Sequence, residues 1–136
     1  MYDLWKKIYE TLIADSTLMS LLSNENDRVK RTFQKPPVKV PQIVYQIATP
    51  SGPLVHGTPK IEDLHIVVTC FAETDTAVAN ILTRVNDVLH DSDLTDTNIH
   101  SYFCEWLGWL SAYHFDEDAN AQRRDSEFRI VVRRKT

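Results

Sequence analysis

Five histidines and two cysteines are the residues of this chain best suited to metal binding or nucleophilic chemistry. A zinc site takes thiolates and imidazoles at close, repeated spacing, and a catalytic thiol takes a histidine base within hydrogen-bond reach. Neither pattern is present. Cys70 and Cys104 stand apart in "VVTCFAE" and "SYFCEWL", among apolar neighbours where a thiol behaves as a small hydrophobe. There is no C-x-x-C, no H-E-x-x-H and no G-x-S-x-G turn, and three glycines leave little for a loop that cradles phosphate. His56 falls in a loop, His65 and His114 on expected strands, and His100 just before one. His90 follows a helix, whose C-terminal dipole favours a cation there. The acidic run Asp116-Glu117-Asp118 lacks the spacing of a calcium loop and reads as a solvated turn. No catalytic, cofactor-binding or metal-binding residue is assigned, no cofactor is expected, and the chain is not expected to be an enzyme. The alternative of that class is a small cytosolic enzyme using Cys70 and nearby histidines, for which fast alkylation of the thiol would be the marker.

The elements that carry these residues follow from apolar periodicity. Leu4, Ile8 and Leu12, with Trp5 and Tyr9 alongside, make one helical stripe over Tyr2 to Ala14. Asp15-Ser16-Thr17 then interrupts it, and Leu18, Leu21 and Leu22 resume the pattern for one or two turns. A short polar side chain caps a helix by accepting from a backbone N–H two or three residues on, so a break with Asp15 or Ser16 as cap is expected. The alternative is one continuous helix with those residues on its wet face. Arg28 to Gln34 reads as a first extended segment ended by Pro36-Pro37, and Gln42 to Ala48 as a strand. The connection "TPSGPLVHGTPK" follows, with Leu54 and Val55 at its middle, and then Glu62 to Ala72, the strongest strand signal. Thr74 or Asp75 caps a second long helix carrying Val78, Ile81, Leu82, Val85, Val88 and Leu89. Tyr102 to Phe115 is a long strand, Asp116 to Ala121 a turn, and Glu127 to Arg134 a final strand pairing back as a hairpin.

This order predicts an α+β fold: an antiparallel four- to five-stranded sheet with an N-terminal broken helix and a second helix packed on one face. The 136 residues suit a single domain, 1–136, and 43% apolar with 25% charged residues is ordinary for a globular chain. No apolar run approaches the ~18 residues of a membrane span, and MYDLWKKIYE has no signal-peptide core. With two cysteines and no disulfide framework, synthesis in a reducing cytosol is expected. A net charge of −4 disfavours a protein that grips nucleic acid by its phosphates.

The strands hold more apolar surface than two helices can cover. Leu64, Ile66, Val68 and Cys70 point one way, while His65, Val67, Thr69 and Phe71 point the other. Tyr102, Cys104, Trp106 and Leu110 lie opposite Phe103, Leu107, Trp109, Tyr113 and Phe115. The second sheet face is therefore expected to be apolar, and such patches usually meet a partner. Leu54, Val55, His56, Phe71, Trp109 and Tyr113 are the expected interface residues. The alternative is a curled sheet whose far side is covered by the long loop or the N-terminal helix.

"IYETLIADSTLMSLLSNENDRVKRTF" resembles the opening of the tail completion and tail terminator proteins of long-tailed bacteriophages. The helix ending at Ala14-Asp15, the short leucine helix Leu18 to Leu22, and the extended segment leading to "PPVKVPQIVYQ" all match that organisation. The strand HIVVTCFAE, the helix Asp75 to Leu89 and the closing hairpin follow in the same order. The likeness covers nearly the whole chain but has no catalytic signature, and "CEWLGWL" has no counterpart in it. It implies a virion assembly protein at the tail–head junction, made in the bacterial host cytoplasm. Such proteins form rings, commonly hexamers, that sit on the last ring of the major tail tube protein, halt its polymerisation and dock the head connector or stopper protein. DNA passes through without specific binding, which suits the acidic balance, and no membrane is involved. A head-completion or neck protein on the portal side is the alternative within the same biology.

Overall fold

The computed structural model describes residues 2–31, 39–48 and 61–134, with the side chains of Tyr2 and Ala48 left aside. Helix α1 covers Tyr2–Ile13 and α2 covers Ser16–Leu21. A 3-10 turn at Asn26–Arg28 leads into strand β1, Val29–Lys30. Strands β2 (Gln42–Ala48) and β3 (Ile61–Ala72) precede helix α3, Asp75–Leu89. Strands β4 (Ile99–Trp109), β5 (His114–Asp116) and β6 (Ala121–Arg134) complete the chain.

The first helix does break at Asp15. Its backbone is extended there (φ −84°, ψ 109°), so it cannot continue α1, and its carboxylate accepts from the Leu18 N–H at 2.8 Å. The same carboxylate receives two hydrogen bonds from Arg84 of α3, at 2.8 and 2.6 Å. One residue thus starts α2 and ties it to the far helix. Thr74 caps α3 by accepting from the Ala77 N–H.

The strand order is β1-β2-β3-β6-β4, with β5 also paired to β6. Most pairs are antiparallel, as expected. The β1–β2 pair is parallel and short, Val29 opposite Ile43 and Lys30 opposite Val44. The expected strand from Arg28 is trimmed because Asn26–Arg28 forms the 3-10 turn; its continuation beyond Arg31 lies outside the described residues. Among the described residues six strands appear where four or five were expected, partly because Tyr102 to Phe115 divides into β4 and β5. At the division the Leu110 N–H donates to the Asp125 carbonyl, while the Asp125 N–H donates to the Ser111 hydroxyl in place of a ladder carbonyl. Strand β6 starts at Ala121 rather than Glu127 and runs between β3 and β4.

The helices cover one sheet face. Leu4, Ile8 and Leu12 of α1, Leu18 of α2, and Val78, Ile81, Leu82 and Val85 of α3 are buried with Tyr45, Leu64, Ile66, Val68, Phe128, Ile130 and Val132. Tyr45 donates its hydroxyl to the Trp5 carbonyl at 2.9 Å, and burial pushes its pKa up to about 12.

The opposite face corrects the expectation of an uncovered apolar surface. Along β6, Arg123, Asp125, Glu127 and Arg129 alternate with Arg124, Ser126, Phe128 and Ile130, so the far side is largely a charged ladder. Arg129 grips Asp63 at 2.9 and 2.6 Å, His65 stands 3.5 Å from Glu127, and Arg123 meets Asp116 at 2.9 Å. Thr69 donates to Asp125. At one end, Val44, Phe71, Ala119 and Ala121 form a small second core, so the 116–121 turn covers part of that face.

Candidate functional site

The apolar surplus lies instead along the edge made by β4 and β5. Among the described residues, the exposed large hydrophobic side chains are Tyr102, Phe103, Trp106, Leu107, Leu110, Tyr113 and Phe115, with Leu21 the one outside this stretch. Leu110 and Phe115 are 51% and 52% exposed. Each such group is worth about 1.5–3 kcal/mol when fully taken out of water. Among the described residues, a series of this kind on one edge is the surface best suited to contact with another chain.

Two bulges put these residues where strict alternation would not. The register of β4 against β6 shifts between Ser101 and Phe103 and again between Trp106 and Gly108. Tyr102 and Leu107 are the inserted residues, and each insertion reverses which side chains face the helices. Ser101, Cys104, Trp106 and Trp109 stand opposite Val132, Ile130, Phe128 and Ser126 on the helix side, while Phe103 and Glu105 stand with Val131 and Arg129 on the far side. Gly108, at φ +133°, occupies a conformation that side-chain-bearing residues rarely adopt.

The edge is rigid. Trp106 donates its indole N–H to the Ser126 hydroxyl at 2.8 Å, and Ser126 donates on to Asn86 of α3 at 3.1 Å. Trp106 and Trp109 meet edge to face, with ring centroids 5.2 Å apart. The Arg124 guanidinium lies 3.8 Å from the Trp109 centroid and 4.4 Å from that of Tyr113, and its Nε donates to the Ser111 carbonyl. Cation–π contact on two rings holds the segment after β4 in place.

The backbone edge is partly occupied. The Asp91 N–H donates to the Cys104 carbonyl, the Ser101 N–H to the Thr95 hydroxyl, and the Trp106 N–H to His90 Nδ1. The loop after α3 thereby blunts β4 against strand addition and leaves side chains as the means of contact. His90 does sit at the C-cap of α3, as expected, and its Nδ1 is this acceptor while its Nε2 stands 3.3 Å from Asp91. Between the loop and β4 lies an open cleft of about 290 Å³ lined by Asp91, Ser92, Asp93, Ser101, Tyr102 and Phe103.

The other expected interface residues separate. Leu54, Val55 and His56 lie outside the described residues. Phe71 is 3% exposed, within the small second core and with Arg123 over its ring. Trp109 and Tyr113 lie on the β4–β5 edge and grip Arg124 between them. Tyr102, Phe103, Trp106, Leu107, Leu110 and Phe115 belong to the apolar surplus that the sequence shows, and their exposure on this edge adds them to the expected interface residues.

The groups considered for chemistry are dispersed. Cys70 and Cys104 stand opposite Arg124 and Ile130, six positions apart along β6 and on either side of it, about 20 Å at the rise of a strand. Burial pushes the Cys70 thiol far above its ordinary range and that of Cys104 up to about 12. Among the described residues no group of three or more His, Cys, Asp or Glu is arranged to hold a metal ion, and no helix is long and apolar enough to cross a membrane.

A chain in a solved structure described as "Virion of native gene transfer agent (GTA) particle" is similar to this one, with a TM-score of 0.67 and 20% sequence identity. The match covers 95% of this chain and 93% of that chain. At that identity the likeness establishes a shared fold. No protein-family model matches, and no curated protein matches.

Proposed function

We propose that this chain is a structural subunit of a phage-like virion and acts by shape and self-association. Within that class it is a tail terminator or completion subunit. Its ring, the hexamer common among the proteins it resembles, ends polymerisation of the tail tube and presents a docking face to the head connector, with DNA threading the centre. The observation that carries this reading is the β4–β5 edge: a run of aromatic and aliphatic side chains that the described residues of the chain leave exposed. That edge sits on a fold shared across almost its whole length with a virion chain. A closed ring needs a head-to-tail interface in which one patch meets a different patch on the next copy, and an edge surface suits such packing better than the charged far face does.

The test is a tube-length assay. Purified subunit added to a polymerising tail tube protein should shorten the tubes in proportion to its concentration and appear by electron microscopy as a cap at one end. Tubes of unchanged length without caps would contradict the terminator role.

A further inference from the structure

Of the three bonds that tie the loop after α3 to β4, one has an acceptor that can take up a proton. The Asp91 N–H donates to a carbonyl and the Ser101 N–H to a hydroxyl, but the Trp106 N–H donates to the Nδ1 lone pair of His90, at 3.1 Å. An imidazole that accepts at Nδ1 is neutral and carries its proton on Nε2. Here Nε2 faces the Asp91 carboxylate at 3.3 Å. An imidazolium has an N–H at both positions and offers Trp106 nothing to bond.

The ring is half exposed, so solvent protons reach it. The ionisable groups around it on the packed elements are Asp87 on α3, Asp91 and Asp93 on the loop, and Cys104 and Glu105 on β4. Glu105 stands on the far side, 3.9 Å from Arg129, and burial keeps the Cys104 thiol neutral. The Asp91 carboxylate and the C-terminal end of α3 favour the cation, while the Trp106 N–H disfavours it. Two opposed influences of this kind leave the protonation state open to pH. Trp106 is also where the exposed edge is shaped: the register shifts just beyond it, and its indole is tied through Ser126 to Asn86.

We infer that His90 is a proton-sensitive latch on the assembly edge. Neutral, it holds the Trp106 amide and with it the bulge that sets out Leu107 and Leu110. Protonated, it releases that amide, and the edge loses the shape that another copy meets. This rests on the ring reading and names a control on it. Because the docked edge requires the neutral ring, each contact formed from protonated subunits releases a proton. Association therefore weakens as pH falls through the range in which histidines titrate, by at most tenfold per pH unit.

Two variants test this by sedimentation at pH 7.5 and pH 5.5. His90→Asn offers an uncharged acceptor oxygen near the place of Nδ1, and His90→Lys puts a cation there with no acceptor. Wild type should associate about tenfold more weakly at pH 5.5; His90→Asn should change little, and His90→Lys should associate weakly at both. In dilute wild-type subunit, NMR should show the Trp106 amide shifting, and exchanging faster, with the midpoint of the His90 ring. An amide that ignores the ring's titration overturns the latch. A wild-type pH dependence that His90→Asn retains belongs to another group and overturns it too. If the amide follows the ring but association is equal at both pH values, control of assembly is overturned and the ring stands. If wild type is monomeric at both, ring and control fall together.

Discussion

Asp15 does two jobs with one carboxylate, and the two can be separated by substitution. Asp15→Ala removes the α2 cap and the Arg84 partner together, and the lost cap alone should cost about 1–2 kcal/mol of stability. Asp15→Asn keeps a capping oxygen and loses the charge, so the loss should be smaller. The Arg84 hydrogen bonds hold the Asp15 carboxyl below its ordinary value against the opposing effect of burial, and Arg129 does the same for Asp63. Both contributions are fully present above the unfolded carboxylate value of about 3.9 and are lost as pH falls through the lower folded values. Denaturant melts from pH 6 downward should therefore show Asp15→Asn losing less stability than wild type across the acid range; parallel curves would remove the Arg84 link. The thiols offer a second residue-scale check. Both should resist a mild alkylating agent in the native protein and react once it is unfolded, whereas fast native labelling of Cys70 would revive the enzyme alternative.

At the scale of elements, β4 carries the account, and its geometry depends on its two bulges. Gly108→Ala meets no neighbouring atom within 4 Å, so any loss must come from the backbone at φ +133°. A loss of about 1–3 kcal/mol is expected, read as a lowered denaturation midpoint; no change would mean that the second bulge is readily rebuilt. The same element marks the limit of what the sequence discloses. The broken helix, α3, β2 and β3 were legible because their apolar spacing is regular and their caps are local. The strand β4 was not, because each bulge adds a residue and inverts the in–out pattern beyond it, and nothing in "SYFCEWLGWL" fixes where that happens. The charged far face is legible in "AQRRDSEFRIVVRR", but its first six residues precede the strand start expected at Glu127, so the alternation of charges there falls in an expected turn and linker. The edge residues were visible as an apolar excess; only the register showed that the excess lies on an edge rather than a face.

At the scale of the whole molecule, a charged far face and an apolar edge make different assemblies. An apolar face would stack subunits in layers, whereas an apolar edge joins them side by side. Leu107→Ser/Leu110→Ser/Phe115→Ser removes apolar area from exposed positions, so the subunit should keep its melting temperature while self-association weakens by about tenfold or more. A triple variant that associates like wild type would move the interface elsewhere. The most direct measurement is electron microscopy of the purified wild-type protein together with its sedimentation mass. Annular particles of uniform diameter, replaced by single subunits in the triple variant, are the expected result. A wild-type protein that sediments as a single subunit at high micromolar concentration and shows no annuli would contradict the self-association on which the proposed function depends.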